Sequence, residues 1–169
     1  PPVAGPNQSE RGDARVGGGA NVPGVYGVPD GIADTAAKQT EARALLEYVD
    51  EVDMVMNRTA FAGGDEEFVV EDIAAVRETV GDTTLKVIIE SPALSAAEIE
   101  RAAGLVEAGG ADFVKTAVGY DGPTDPAEVE AIRRGVGPEM GVKASGGIGS
   151  FEEALAMVRA GATRIGASS

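Results

Sequence analysis

From about residue 21 the chain alternates short apolar runs with longer segments of helical character. The runs Gly24–Val28, Val52–Asn57, Leu85–Glu90, Asp112–Val118, Gly141–Ser145 and Thr163–Ala167 are rich in Val, Ile and Phe and are predicted as strands. Gly24–Val28 carries the weakest strand signal, because Pro23, Gly24 and Gly27 are poor strand residues. The segments between the runs carry helix-start signals. Ser95 with Glu98, and Ser150 with Glu153, have the spacing of capping boxes. Asp125-Pro126 with Glu128 supplies an N-cap, a proline in the first turn and an acid facing the positive helix end.

Strand–helix alternation at this spacing predicts parallel strands joined by helical crossovers. A weak echo supports a repeated unit: Ala108-Gly109-Gly110-Ala111-Asp112-Phe113-Val114 resembles Ala160-Gly161-Ala162-Thr163-Arg164-Ile165. No G-x-G-x-x-G follows the first strand, which disfavours an open dinucleotide-binding sheet and favours a (β/α)8 barrel. Such a barrel usually needs about 250 residues. With 169 residues and six predicted strands, the expectation is an incomplete barrel over residues 21–169, lacking N-terminal strands and the last helix. Residues 1–20, rich in Pro, Gly and polar residues without period, are expected to be irregular or disordered.

Composition narrows the chemistry. Apolar residues make up 43% of the chain, enough for a core. There is no Cys and no His, which removes disulfides, thiolate nucleophiles, Ser-His-Asp catalysis and the usual His-ligated metal centres. Acid–base work falls to Lys, Asp, Glu or Tyr. The net charge of −14 opposes nucleic acid and anionic membranes as partners. No run of about 18 apolar residues is present, so no membrane span is expected, and no basic-then-apolar leader opens the chain, so a cytoplasmic location is expected. The four lysines are Lys38, Lys86, Lys115 and Lys143. An acidic chain with so little lysine fits a salt-loving source and an ordinary acidic cytosolic protein equally well.

Two of those lysines lie inside consecutive apolar strands: Lys115 in Phe113–Val118 and Lys143 in Gly141–Ser145. Desolvation and a second ammonium both favour a neutral amine, which can attack a carbonyl near neutral pH. The alternative is a strand-end lysine that snorkels to solvent. Asp53, in Val52–Asn57, shares a face with Val55 and Asn57 by strand alternation and needs a partner, for which a lysine across the barrel would serve. Glu90 ends its strand where barrel sites are built, and suits either a substrate hydroxyl or a structural cation. Lys86 opens the same strand at the opposite end and is read as structural. Gly146, Gly147 and Gly149 follow the Lys143 strand and open a helix, and Gly166-Ala167-Ser168-Ser169 follows the next strand. Glycine loops after the last two strands of a barrel suit a phosphate.

These same residues carry a resemblance. Glu51–Val55, Leu85–Ser91, Ala111–Thr116, Val142–Ile148 and Arg164–Ser169 resemble the deoxyribose-phosphate aldolase family in order and spacing across residues 21–169. The resemblance implies a (β/α)8 barrel and reversible cleavage of 2-deoxy-D-ribose 5-phosphate to acetaldehyde and D-glyceraldehyde 3-phosphate. It assigns the Schiff base to Lys115, the second, pKa-lowering lysine to Lys143 and the proton-relaying acid to Asp53. Gly119, Gly146, Gly147, Gly166, Ser168 and Ser169 match positions around the phosphate. No metal or organic cofactor is implied. The expected partners are a phosphorylated sugar and further copies of the chain.

The sequence also departs from the family pattern. The family's first two strands have no counterpart, Thr116–Tyr120 replaces a more hydroxyl-rich loop, and Gly149 stands where many members have an arginine. Gly110 adds a residue before the Lys115 strand. Two other readings remain: another class I aldolase acting on a different phosphorylated sugar, and a non-catalytic partial barrel that binds sugar phosphate.

Overall fold

The computed structural model describes residues 13–15, 18–21, 23–28 and 30–167. Two short strands, β1 (Asp13–Arg15) and β2 (Gly18–Asn21), pair antiparallel. They fall inside the segment expected to be irregular. A ribbon this short needs little beyond backbone pairing, so it leaves no hydrophobic period to read.

The main sheet has six parallel strands in sequence order: β3 (Pro23–Tyr26), β4 (Glu51–Val55), β5 (Thr84–Ile88), β6 (Phe113–Lys115), β7 (Gly141–Ser145) and β8 (Arg164–Gly166). Each strand pairs with the next, and β1 lies beside β8. Parallel neighbours need crossovers. Here these are α1 (Thr35–Leu45), α2 (Arg58–Ala62) with α3 (Glu66–Val80), α4 (Ala96–Ala108), α5 (Pro126–Gly135) and α6 (Phe151–Ala160). The result is a curled half of a (β/α)8 barrel, as the alternation predicted.

The helix starts follow the local chemistry. Ser95 and Ser150 form complete capping boxes with Glu98 and Glu153, and Asp125 caps α5 through the Ala127 N–H. The apolar run Val52–Asn57 predicts one strand; the strand ends at Val55, and Asn57 instead caps α2 by accepting from the Ala60 N–H. An asparagine's preference for its own backbone explains the early stop.

The register sorts side chains by face. Asp53 lies beside Lys86, Lys86 beside Phe113, Lys115 beside Lys143 and Lys143 beside Arg164. Successive residues alternate sides. Val52, Met54, Leu85, Val87, Val114, Val142 and Ala144 therefore point outward and form the apolar core with helix residues such as Ile73, Val76, Ile99, Ala102, Val106 and Ile132. The other, concave face carries Glu51, Asp53, Lys86, Lys115, Lys143 and Arg164. Burial on both faces is characteristic of parallel sheets and explains why the strands read as near-continuous apolar runs.

Candidate active site

All four lysines of the chain are buried. Lys38 pairs with Asp72 between α1 and α3, away from the concave face. The other three meet on one carboxylate. Asp53, itself fully buried in β4, accepts from Lys86 Nζ on Oδ1 at 2.9 Å and from Lys115 Nζ on Oδ2 at 2.9 Å. Lys143 Nζ lies 3.6 Å from the same Oδ2. Lys115 and Lys143 are direct register partners on β6 and β7, so their side chains leave adjacent backbones toward the same oxygen.

Behind this group lies a second carboxylate. Lys86 Nζ sits 2.6 Å from Glu51 Oε2, and Arg164 Nη1 donates to both Glu51 oxygens at 2.8 and 2.6 Å. The Arg164 guanidinium also stacks 4.6 Å from the Phe113 ring centroid. Gly141, the register partner of Phe113, makes room for that ring, because a Cβ there would meet it at 2.4 Å. Lys86, expected to be structural at the start of its strand, bonds the central carboxylate directly. Glu51, Lys86 and Arg164 were not selected from the sequence as site residues. The available signal was strand alternation, since Lys86 shares a face with Ile88 and Arg164 falls in the last strand at the register of Lys143.

The electrostatics follow from the contacts. Burial works to raise the pKa of Asp53, but the charges of Lys115, Lys143 and Lys86 outweigh it and hold the carboxyl well below the usual carboxylate range. Burial likewise opposes ionisation of Glu51, yet the bonds from Arg164 and Lys86 bring it down to about 2. Among these six side chains, four cationic groups meet two carboxylates in a water-poor environment.

Above the cluster, the strand ends are tied together by hydroxyls. Thr116 Oγ1 and Thr124 Oγ1 both donate to the Ser145 carbonyl, at 2.8 and 2.6 Å, and Ser145 Oγ donates to the Ala117 carbonyl at 2.6 Å. This brings the loops after β6 and β7 together: a Cβ on Gly119 would lie 4.0 Å from the Gly146 Cα, with φ of +100° and +104° at the two glycines. Gly147, at φ +74°, packs on Pro123, where a Cβ would meet the proline at 2.7 Å. Gly166 lies beside Ser145 and Lys143; a Cβ there would come within 3.3 Å of Lys143 Cε. Gly166 thus abuts Lys143, and Gly119 and Gly146 bring the two loops together. Ser168 and Ser169 lie outside the described residues. At the start of α6, Glu153 Oε2 accepts from the Gly149 and Ser150 N–H groups at 2.8 and 2.9 Å, so its carboxylate takes up donors of this helix end.

Glu90 stands one step beyond β5 in a left-handed conformation, φ 50° and ψ 59°, the one non-glycine residue at positive φ among the described residues. Its Oε1 accepts from the Val118 N–H at 2.6 Å, and its buried Oε2 has no hydrogen-bond partner. Burial pushes the Glu90 carboxyl up, and Asp121 adds to this, against the lowering effect of the Val118 bond, Arg58 and Lys115. Its place is at the loop after the Lys115 strand. Among the described residues, no group of His, Cys, Asp and Glu is arranged to hold a metal ion, and no helix is long and apolar enough to cross a membrane.

Comparison with known proteins identifies relatives of the chain. A family model described as DeoC/LacD family aldolase matches residues 11–169. A deoxyribose-phosphate aldolase of Macrococcus caseolyticus is 46% identical over 146 residues, covering 85% of this chain and 66% of that protein. The chain therefore spans about two thirds of that relative's length. Among solved structures, the aldolase QR15 superposes with a TM-score of 0.84 at 37% identity, covering 90% of this chain and 70% of that one. The deoxyribose phosphate aldolase of Aeropyrum pernix, described as a unique tetrameric structure, gives 0.76 at 32% identity, covering 88% and 64%.

Proposed function

Because this chain belongs to the DeoC/LacD aldolase family, we propose that its lysine–carboxylate cluster is the Schiff-base centre of an aldolase that reversibly cleaves 2-deoxy-D-ribose 5-phosphate to acetaldehyde and D-glyceraldehyde 3-phosphate. The observation that carries this reading is the convergence of Lys115 and Lys143 on one oxygen of the buried Asp53.

In the cleavage direction, the neutral Lys115 amine adds to the C1 aldehyde of the open-chain sugar. The carbinolamine loses its hydroxyl as water and becomes an iminium. The C3 hydroxyl then gives up its proton, the C2–C3 bond breaks, and its electron pair passes into the iminium to leave an enamine. Glyceraldehyde 3-phosphate departs. Protonation of the enamine at C2 and hydrolysis of the resulting imine release acetaldehyde and return Lys115.

Lys143 supplies a positive charge beside Lys115, which favours the neutral amine. Asp53, ionised and within 2.9 Å of Lys115 Nζ, is placed to take and return protons at the carbinolamine. The phosphate is assigned to the backbone around Gly119, Gly146, Gly147, Gly166, Ser168 and Ser169. Glu153 already holds the Gly149 and Ser150 N–H groups, so the anion is assigned to the earlier glycines of that loop. No cofactor is required by this scheme. A cytoplasmic location and self-association, the latter by analogy with the tetrameric Aeropyrum pernix enzyme, complete the reading.

The test is a product assay: the chain is incubated with 2-deoxyribose 5-phosphate and glyceraldehyde 3-phosphate is measured with a coupled dehydrogenase. Formation of product that is lost in Asp53→Asn supports the reading. Binding of the sugar phosphate without product, in folded protein, supports the non-catalytic reading instead.

A further inference from the structure

We propose that Lys86 is a positioning residue for the imine chemistry: it holds Asp53 Oδ1 so that Oδ2 stays turned toward Lys115 and Lys143 and the carboxylate stays ionised through the cycle. The proposal rests on the Schiff-base reading given above and extends it to the face of the cluster turned away from the reacting lysine.

The geometry divides Asp53 into two halves. Oδ2 serves Lys115 at 2.9 Å and Lys143 at 3.6 Å, whereas Oδ1 serves Lys86 at 2.9 Å. Lys86 is the direct register partner of Asp53, and the register partner of Lys115 on β5 is Ile88, two residues further along. Its ammonium is buried between Glu51 and Asp53 and bonds both, so its route to the substrate is through Asp53. Lys86 is itself fixed from behind by Glu51 at 2.6 Å, and Glu51 is gripped through both oxygens by Arg164. One continuous set of charge-assisted bonds therefore runs from β8 through β4 and β5 to Asp53 Oδ1, on the carboxylate whose other oxygen faces the reactive amine.

The chemistry gives this arrangement a purpose. Lys115 must lose its positive charge to attack a carbonyl, and Asp53 then loses one of the cations that keep it ionised. Lys86 bonds carboxylates on both sides and takes no part in the covalent steps. It is the cation that remains beside Asp53 at every stage. Without it, the carboxylate rotates freely and binds its proton more tightly, and a relay that holds its proton too tightly returns it slowly.

The experiment compares the wild-type chain with Lys86→Met, Lys86→Gln and Lys86→Arg by two readouts. The first is exchange of the methyl protons of acetaldehyde for deuterium in D2O as a function of pH. Each event breaks a C–H bond of the iminium to give the enamine and forms a C–D bond in return, with no net oxidation. The second is titration of the Asp53 carboxyl carbon by NMR on aspartate-labelled protein, which needs no imine.

Removing a cation beside Asp53 raises its proton affinity. Lys86→Met and Lys86→Gln are therefore expected to move the Asp53 titration to higher pH. The acid limb of exchange should move in the same direction, with the rate at neutral pH falling on the order of 10-fold or more. Lys86→Arg, which keeps the charge, should restore both. Lys86→Gln retains a donor to Oδ1 and carries the comparison if Lys86→Met does not fold. An Asp53 titration and an acid limb both unchanged in Lys86→Gln overturn the proposal. Absence of exchange in the wild-type chain together with a shifted Asp53 titration would instead reject the Schiff-base reading while leaving the control of Asp53 by Lys86 in place.

Discussion

Replacing Glu51 by Gln keeps the size of the side chain and removes one of the two negative charges in the cluster. In the folded chain Glu51 is 1% exposed, bonded to Lys86 and through both oxygens to Arg164, and its pKa falls from the ordinary 4.5 to about 2. At about 1.4 kcal/mol per pH unit, that difference corresponds to about 3 kcal/mol of stability at neutral pH. Leaving a buried cation without its partner costs a similar amount, about 3–5 kcal/mol. The pH dependence has a definite sign. A carboxyl whose folded pKa is depressed stabilises the fold fully above its unfolded value, near pH 4.5, and the contribution disappears as pH falls through about 2. Urea denaturation of wild type and Glu51→Gln at pH 7 should differ by about 3 kcal/mol, a midpoint lower by about 1–2 M for a domain of this size. The gap should hold to about pH 5 and shrink below it. A difference under about 1 kcal/mol at pH 7, or one that does not narrow between pH 5 and pH 3, would refute the assignment of Glu51 as a strongly paired buried anion.

Glu90 is predicted to behave in the opposite sense. Because burial raises its pKa, the folded state holds that proton more tightly than the unfolded chain, and stability declines as pH rises through the carboxylate range. Glu90→Gln should remove that decline, so the thermal midpoint of the variant should gain on that of wild type as pH rises from 4 to 7. Lys143→Met takes a positive charge from beside Lys115, so the pH at which Lys115 is half-trapped by aldehyde and borohydride should rise, measured by intact mass across pH 5–9. Gly141→Ala places a methyl 2.4 Å from the Phe113 ring, on which Arg164 stacks. It should cost about 1–3 kcal/mol in chemical denaturation by overpacking.

The fold was legible because its signals are local. Capping residues at Ser95, Asp125 and Ser150 mark the helix starts, and Gly141–Ser145 is a strand with the bounds expected from its apolar run. Strand ends were misread where a polar residue had other work. Asn57 caps a helix and Glu90 leaves β5 in a left-handed turn, although both continue an apolar run. Lys115, Lys143 and Asp53 stood out as charges inside hydrophobic strands, and the structure brings all three together. Lys86 and Glu51 were equally anomalous but sat near strand starts, where a charge ordinarily reaches solvent. Their burial depends on the curl of the sheet and on Arg164, more than 100 positions away in sequence from Glu51, and no local pattern records a contact at that separation. The antiparallel ribbon of Asp13–Arg15 and Gly18–Asn21 was invisible for a different reason: its pairing is made by backbone and leaves no side-chain period.

Lys115 is the proposed nucleophile, and the most direct test of that role is reductive trapping. The chain and its Lys115→Met variant are incubated with acetaldehyde and sodium borohydride, and the modified residue is located by peptide mass mapping. One ethyl adduct on Lys115, absent from the variant, is the predicted result. A folded wild-type chain that gains no adduct, or that gains it on Lys86 or Lys143 with Lys115 untouched, would contradict the account.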